Sequence, residues 1–196
     1  MEYKERMSMK NLFIIGIIFL LIPSAQAAEL SGVFVKDQVT AENGETLLLN
    51  GIGLREKFWI DIYVGSLYLV NKTDNVAEIL SVPHASRIQM DFVYKEVAKE
   101  KLLKAWREGF SKNQSKQAMT ALKDRIDQFY SYFDKNVVAN DQYILDYIPG
   151  KGTTVTKNNQ VLGLIPGEDF KNALLEIWLG NFPADKKLKL GMLGLK

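Results

Sequence analysis

The sequence predicts an α+β fold: an antiparallel sheet with a layer of helices packed on one face. Three observations lead there. Segments that alternate with a period of two and segments with helical spacing are mixed without the regular strand–helix–strand order of a parallel sheet. Asn43-Gly44 and Asn158-Asn159 stand between apolar runs as tight turns, and hairpins join antiparallel neighbours. No linker, repeat or composition break divides the chain, and 47% apolar residues in 196 suffice for one sizeable core.

The first residues read as an address. Lys4, Arg6 and Lys10 make a basic start, Leu12 to Ile22 is an uncharged apolar run, and Ala25-Gln26-Ala27 is a small-residue cleavage site. The run is shorter than the roughly 20 residues that a membrane-spanning helix needs. With no cysteine in the chain, a lipid-anchored cysteine is excluded. The expectation is a cleaved signal peptide over residues 1–27 and a single domain over 28–196, periplasmic or secreted, with no membrane span in the mature chain. Removing the leader takes three basic residues together with Glu2 and Glu5, so the net charge falls from +2 to +1. No single-sign field is left to steer the chain toward nucleic acid or an acidic membrane.

The elements follow in order. Gly32 to Leu49 is a hairpin, with Phe34, Val35 and Val39 on one arm and Leu47, Leu48 and Leu49 on the other. Asn50-Gly51-Ile52-Gly53-Leu54-Arg55 is expected to turn sharply as a glycine-rich corner between strands. Phe58 to Val70 is the longest strand, with a bulge or bend at Gly65-Ser66. Asp74 is placed to cap a short helix over Asn75 to Leu80, and Pro83 stops it. Arg87 to Tyr94 alternates as a strand with Ile88, Met90, Phe92 and Tyr94 on one face.

Two helices come next. In Ala98 to Phe110 the apolar positions are Leu102, Leu103, Trp106 and Phe110; in Ser115 to Phe133 they are Met119, Leu122, Ile126, Phe129 and Phe133. Steps of three and four make both stripes core faces. Strands are predicted over Gln142 to Ile148, Thr153 to Lys157 and Gln160 to Ile165. Pro166-Gly167 opens a helix from Glu168 to Leu179, ended by Gly180, and Pro183 suits the first turn of a last short helix.

Composition excludes most catalytic chemistries. Without cysteine there is no thiol catalysis, zinc–cysteine site or iron–sulfur cluster, and the single histidine, His84, sits in a loop after Pro83. No Gly-x-Ser-x-Gly elbow is present, and no acid and histidine cluster has metal-ligand spacing, so no metal and no cofactor is expected. Gly51-x-Gly53 precedes a strand and lacks a third glycine, and Gly150-Lys151-Gly152-Thr153-Thr154 lies between strands, so neither is a phosphate loop. Asp61, an acid in an apolar strand, reads as a salt-bridge partner or an outward-facing residue.

Arg55 stands out. It precedes a strand that carries Tyr63, and a guanidinium fork with a phenol nearby is suited to holding one carboxylate. Arg55 paired with Glu56 or Asp61 as a structural clamp is the plainer alternative, and local sequence favours it.

The order of motifs shifts that balance. Gly51-Ile52-Gly53-Leu54-Arg55 followed by Ile62-Tyr63-Val64-Gly65-Ser66-Leu67-Tyr68-Leu69 resembles the start of a chalcone isomerase domain. Gly152-Thr153-Thr154-Val155, Gly167-Glu168-Asp169-Phe170, Ala173-Leu174-Leu175-Glu176-Ile177-Trp178-Leu179-Gly180 and Met192-Leu193-Gly194 continue the resemblance in the right order, nearest to the exported bacterial branch. It implies an open-faced β-sandwich with a cleft between sheet and helices. In the plant enzymes that cleft cyclises chalcones; in related plant proteins it holds a fatty acid whose carboxylate an Arg and a Tyr clasp. Arg55 falls on the family Arg. Tyr63 falls, with one gap, on a position that is Thr in the isomerases and Tyr in the fatty-acid binders.

The catalytic positions of the isomerases do not carry over. Their Tyr and Asn meet Ala98 and Ala105, and a late-helix Thr or Ser meets Lys171, although Tyr94 stands close enough to offer an alternative tyrosine. The resemblance therefore implies a non-catalytic binder of a fatty acid or similar amphiphile, with Arg55 and Tyr63 as the ligand-binding residues. An isomerase or lyase acting on an enone or phenolic substrate is the alternative, and a protein-interaction module of the cell envelope is a third class.

Overall fold

The strand Ile60–Leu69 shows why this chain makes a two-faced sheet. Its side chains alternate: Tyr63, Leu67 and Leu69 join the larger core, while Val64 and Tyr68 join a second core on the opposite face. The computed structural model describes residues 27–195, so the expected signal peptide lies outside the described residues apart from Ala27, which opens the first strand. The elements are β1 (Ala27–Leu30), β2 (Val33–Lys36), β3 (Gln38–Thr40), β4 (Thr46–Lys57), β5 (Ile60–Leu69), α1 (Val76–Ser81), β6 (Ser86–Phe92), β7 (Glu96–Val97), α2 (Lys99–Asn113), α3 (Lys116–Ala121), α4 (Lys123–Ser131), β8 (Val137–Val138), β9 (Gln142–Ile148), β10 (Gly152–Lys157), β11 (Gln160–Ile165), α5 (Glu168–Leu179) and α6 (Lys186–Met192).

Seven strands form one sheet in the order β11-β10-β9-β6-β5-β4-β3, and each neighbouring pair is antiparallel. The helices cover one face. There Trp106 and Phe110 of α2, Phe129 of α4 and Phe170 and Trp178 of α5 pack on Ile88, Met90, Phe92 and Leu145 of the sheet. The aromatics meet edge to face, Trp106 on Phe129 at 5.0 Å and on Trp178 at 5.5 Å. The other face is covered by the small β1–β2 ribbon, whose Val35 packs with Val64 and Tyr68. The expected α+β class and open-faced sandwich are both present.

Several elements differ from the reading of the sequence. Asn50 to Arg55 is not a corner but the middle of β4, a single strand of 12 residues. Its glycines serve a neighbour instead of a turn: α6 lies directly on β4, and a Cβ on Gly53 would stand 2.6 Å from the Leu188 carbonyl oxygen, one on Gly51 2.8 Å from the Gly194 nitrogen. Asn50 ties the two together, donating from Nδ2 to the Met192 carbonyl at 2.9 Å and accepting the Thr73 N–H at 2.8 Å on Oδ1. The bulges of the β4–β5 pair fall between Leu49 and Gly51 and between Arg55 and Glu56, while Gly65 and Ser66 keep regular register.

The cap of α1 is Asn75, whose Oδ1 accepts from Ala77 and Glu78, and not Asp74. The helix expected over Ser115 to Phe133 breaks into α3 and α4 at Leu122, just after Thr120 back-bonds to the Lys116 carbonyl at 3.0 Å. Pro183 stands before α6 instead of in its first turn, because Asp185 is the capping residue.

Candidate ligand-binding cleft

The register of the β4–β5 hairpin places Arg55 directly opposite Tyr63, so both side chains leave the sheet on the same face. They line a cavity of about 520 Å³ between the sheet and α2. Its walls are apolar: Ile62, Met90 and Phe92 on the sheet side, Leu102 and Trp106 on α2, Ile177 on α5. Its rim is charged, with Lys57, Lys101, Lys104 and Lys112 set against Glu96 and Glu108.

The anticipated partners of Arg55 are corrected by the structure. Glu56 offers only its backbone carbonyl, which accepts from Arg55 Nη1 at 2.5 Å, while its carboxylate faces Lys187 Nζ at 3.5 Å. Asp61 accepts from Ser31 Oγ at 3.1 Å and leaves Arg55 alone. The acidic partner is Asp185, whose Oδ2 lies 3.3 Å from Nη1. Its other oxygen, Oδ1, caps α6 by accepting from Lys187 at 2.8 Å and Leu188 at 3.1 Å. One carboxylate thus anchors the helix and orients the guanidinium. Both contacts use Nη1. Among the described residues no acceptor meets Nη2 or Nε, so one edge of the fork stays available for a bidentate carboxylate.

Tyr63 is buried and packs on Phe92 with ring centroids 5.3 Å apart. Trp178 Nε1 donates to its hydroxyl oxygen at 3.0 Å, which leaves the phenolic hydrogen free to be given to a ligand. Burial pushes the Tyr63 hydroxyl up to about 12; the Trp178 hydrogen bond and the Arg55 charge pull the other way and lose. Tyr63 is therefore a neutral donor at neutral pH, where a carboxylate ligand is ionised.

The remaining singled-out positions separate. Ala105 and Tyr94 line the cavity. Ala98 is the N-cap of α2 and makes no side-chain capping bond. Lys171 is buried elsewhere, its ammonium donating to the Ile79 carbonyl at 3.3 Å and to Asn172 Oδ1 at 3.0 Å, 5.2 Å from the centre of the Tyr147 ring. Burial pulls its pKa down, and it does not line the cleft. Reading the sequence missed Asp185 and Trp178. Asp185 carried a signal, an acid just before the apolar-periodic Lys186 to Met192, the mark of an N-cap. Nothing local to Trp178 points to a tyrosine 115 positions away.

The family model described as chalcone isomerase-like matches residues 27–194. Among solved structures, the crystal structure of a fatty-acid binding protein from Arabidopsis thaliana is similar with a TM-score of 0.70. The match covers 86% of this chain and 96% of that chain at 16% sequence identity, which is a likeness of fold. Comparison with curated proteins finds no match.

Proposed function

Because the chain belongs to the chalcone isomerase-like family, we propose that it uses the family cleft to bind a fatty acid or similar amphiphilic carboxylate without transforming it. One observation carries this reading: the free edge of the Arg55 fork and the free hydroxyl hydrogen of Tyr63 lie side by side at an apolar cavity of about 520 Å³. Two bonds from Arg55 and one from Tyr63 would hold the carboxylate, and the walls would take the chain. The fatty-acid binding protein among its structural neighbours supports the ligand class. Ala at positions 98 and 105 supports the non-catalytic role, since a methyl group neither orients a substrate nor moves a proton.

Calorimetry with a fatty acid and the matching fatty alcohol tests the assignment. Arg55→Ala is expected to weaken the acid by about tenfold or more while leaving the alcohol nearly unchanged. Equal losses for both ligands would remove the carboxylate role. Tyr94 on the cavity wall favours a second reading, isomerisation of an enone or phenolic substrate. Turnover of chalcone by the purified protein, above a heat-killed control, would put that reading first.

Residues 1–27 are proposed to be a cleaved signal peptide and the mature chain to act in the periplasm or outside the cell. The intact mass of the exported protein checks this: a chain starting at Ala28 is expected, and a retained leader would sink it.

A further inference from the structure

The hairpin that carries Arg55 and Tyr63 ends in a two-residue turn, Phe58-Trp59, and both residues have positive φ, 51° and 61°. Such turns suit Asn, Asp and Gly; bulky side chains enter that region only under strain. The molecule holds its own control. Asn158-Asn159, which joins β10 to β11, has nearly the same angles, 48° and 65°, and there the chain uses residues that the turn prefers. At the first turn it displays two aromatics instead, and they are left largely in solvent: Phe58 is 78% exposed and Trp59 94%, with Ile60 beside them at 42%. Strained backbone and solvent-facing aromatic rings together call for a partner outside the molecule.

We propose that the Phe58-Trp59 tip is an anchor that seats the mouth of the cleft on an anionic lipid surface. The cavity opens toward this tip, since Phe58 and Ile60 line it, and Phe182, 63% exposed, lines the same cavity. Basic residues outnumber acidic ones around this cavity, four lysines against Glu96 and Glu108, the latter paired with Lys104 and Lys112. Lys57 Nζ lies 6.0 Å from the centre of the Phe58 ring, and Lys101, Lys104 and Lys112 share the rim. The whole-chain charge of +2 hides this local excess, and acidic headgroups are its complement. A protein partner fits less well. Two protruding side chains of roughly 200 Å² each fall short of the ~800 Å² that each side of a stable interface buries. A Trp at the edge of a bilayer needs no such area, because its ring partitions to the headgroup level by itself.

The purpose of the anchor, passing an acyl chain between bilayer and cleft, rests on the amphiphile reading; the anchor itself does not. Protein as recovered from cells is mixed with phosphatidylcholine vesicles, with and without phosphatidylglycerol, and no free fatty acid is added. The wild type is expected to sediment with the phosphatidylglycerol vesicles, more weakly as salt rises, and to show a blue shift in tryptophan emission. Trp106 and Trp178 are buried, so that shift reports Trp59.

Trp59→Gly puts a residue suited to positive φ into the turn. It is expected to raise the melting temperature, to weaken vesicle binding by about tenfold or more, and to leave fatty-acid affinity in solution unchanged. Both proteins share one N-terminus, so the difference between them belongs to the tip. Three results would each overturn the anchor: a wild type that ignores anionic vesicles, a Trp59→Gly protein that binds them as well, and dimerisation through the tip in place of vesicle binding. A protein that binds vesicles through Trp59 yet ignores fatty acids would fail only the amphiphile reading.

Discussion

At the scale of single residues, the site is a contest for one guanidinium. Asp185 already offers a carboxylate to Arg55 Nη1, so a ligand carboxylate arrives as a second anion beside the first. The same Asp185 caps α6, which makes its charge and its capping oxygen separable by substitution. Asp185→Asn keeps a side-chain oxygen for the cap, and Asn is as good a cap as Asp. The variant is expected to melt within a few degrees of the wild type and to bind a fatty-acid carboxylate tighter on the order of fivefold, as the loss of a partly buried competing charge allows. Unchanged affinity in calorimetry would mean that the ligand does not meet Arg55. This pairing also marks the limit of the sequence. Arg55 and Tyr63 are legible as a pair because one hairpin carries both and β-register is short-ranged. Asp185 is 130 positions from Arg55, and only the packing of α6 on β4 brings it there.

The element scale is where alternation, helical spacing and turn residues were most informative. α5 runs from Glu168 to Leu179 as its spacing and flanking glycines dictate, and β9 and β11 keep their expected limits. The glycines of β4 were misread because glycine has two structural uses that look alike in sequence: freedom of φ, and absence of a side chain. Gly51 and Gly53 serve the second, and the helix they accommodate lies more than 130 positions further on. Their role predicts a large cost for a small change. Gly51→Ala puts a methyl group against the backbone of α6, which cannot yield as a flexible side chain would. A loss of about 3 kcal/mol in a urea titration is expected, with a weaker fatty-acid affinity, because α6 holds Asp185 and Asp185 holds Arg55. Full stability in the Ala variant would show that α6 does not press on β4.

For the whole molecule, the buried phenols set an upper limit of pH. Burial pushes Tyr63 and Tyr68 from the ordinary 10 up to about 12, and Tyr143 also rises. Between those values the unfolded chain has released its phenolic protons and the folded chain still holds them, so the folded state binds more protons and stability falls as pH rises. Two units on Tyr63 correspond to on the order of 3 kcal/mol, and Tyr68 adds a similar share; domains of this kind have only about 5–15 kcal/mol in total. The protein is expected to unfold cooperatively between pH 10 and 12. Phenolate absorbance and loss of circular dichroism should then appear as one transition. Tyr63→Phe separates this effect from ordinary damage: it leaves the Trp178 N–H without its acceptor and so lowers stability at neutral pH, yet it removes one titrating group and makes the alkaline decline shallower. A decline of unchanged slope in that variant, or phenols that ionise near pH 10 in an intact fold, would contradict the burial on which the neutral donor role of Tyr63 depends.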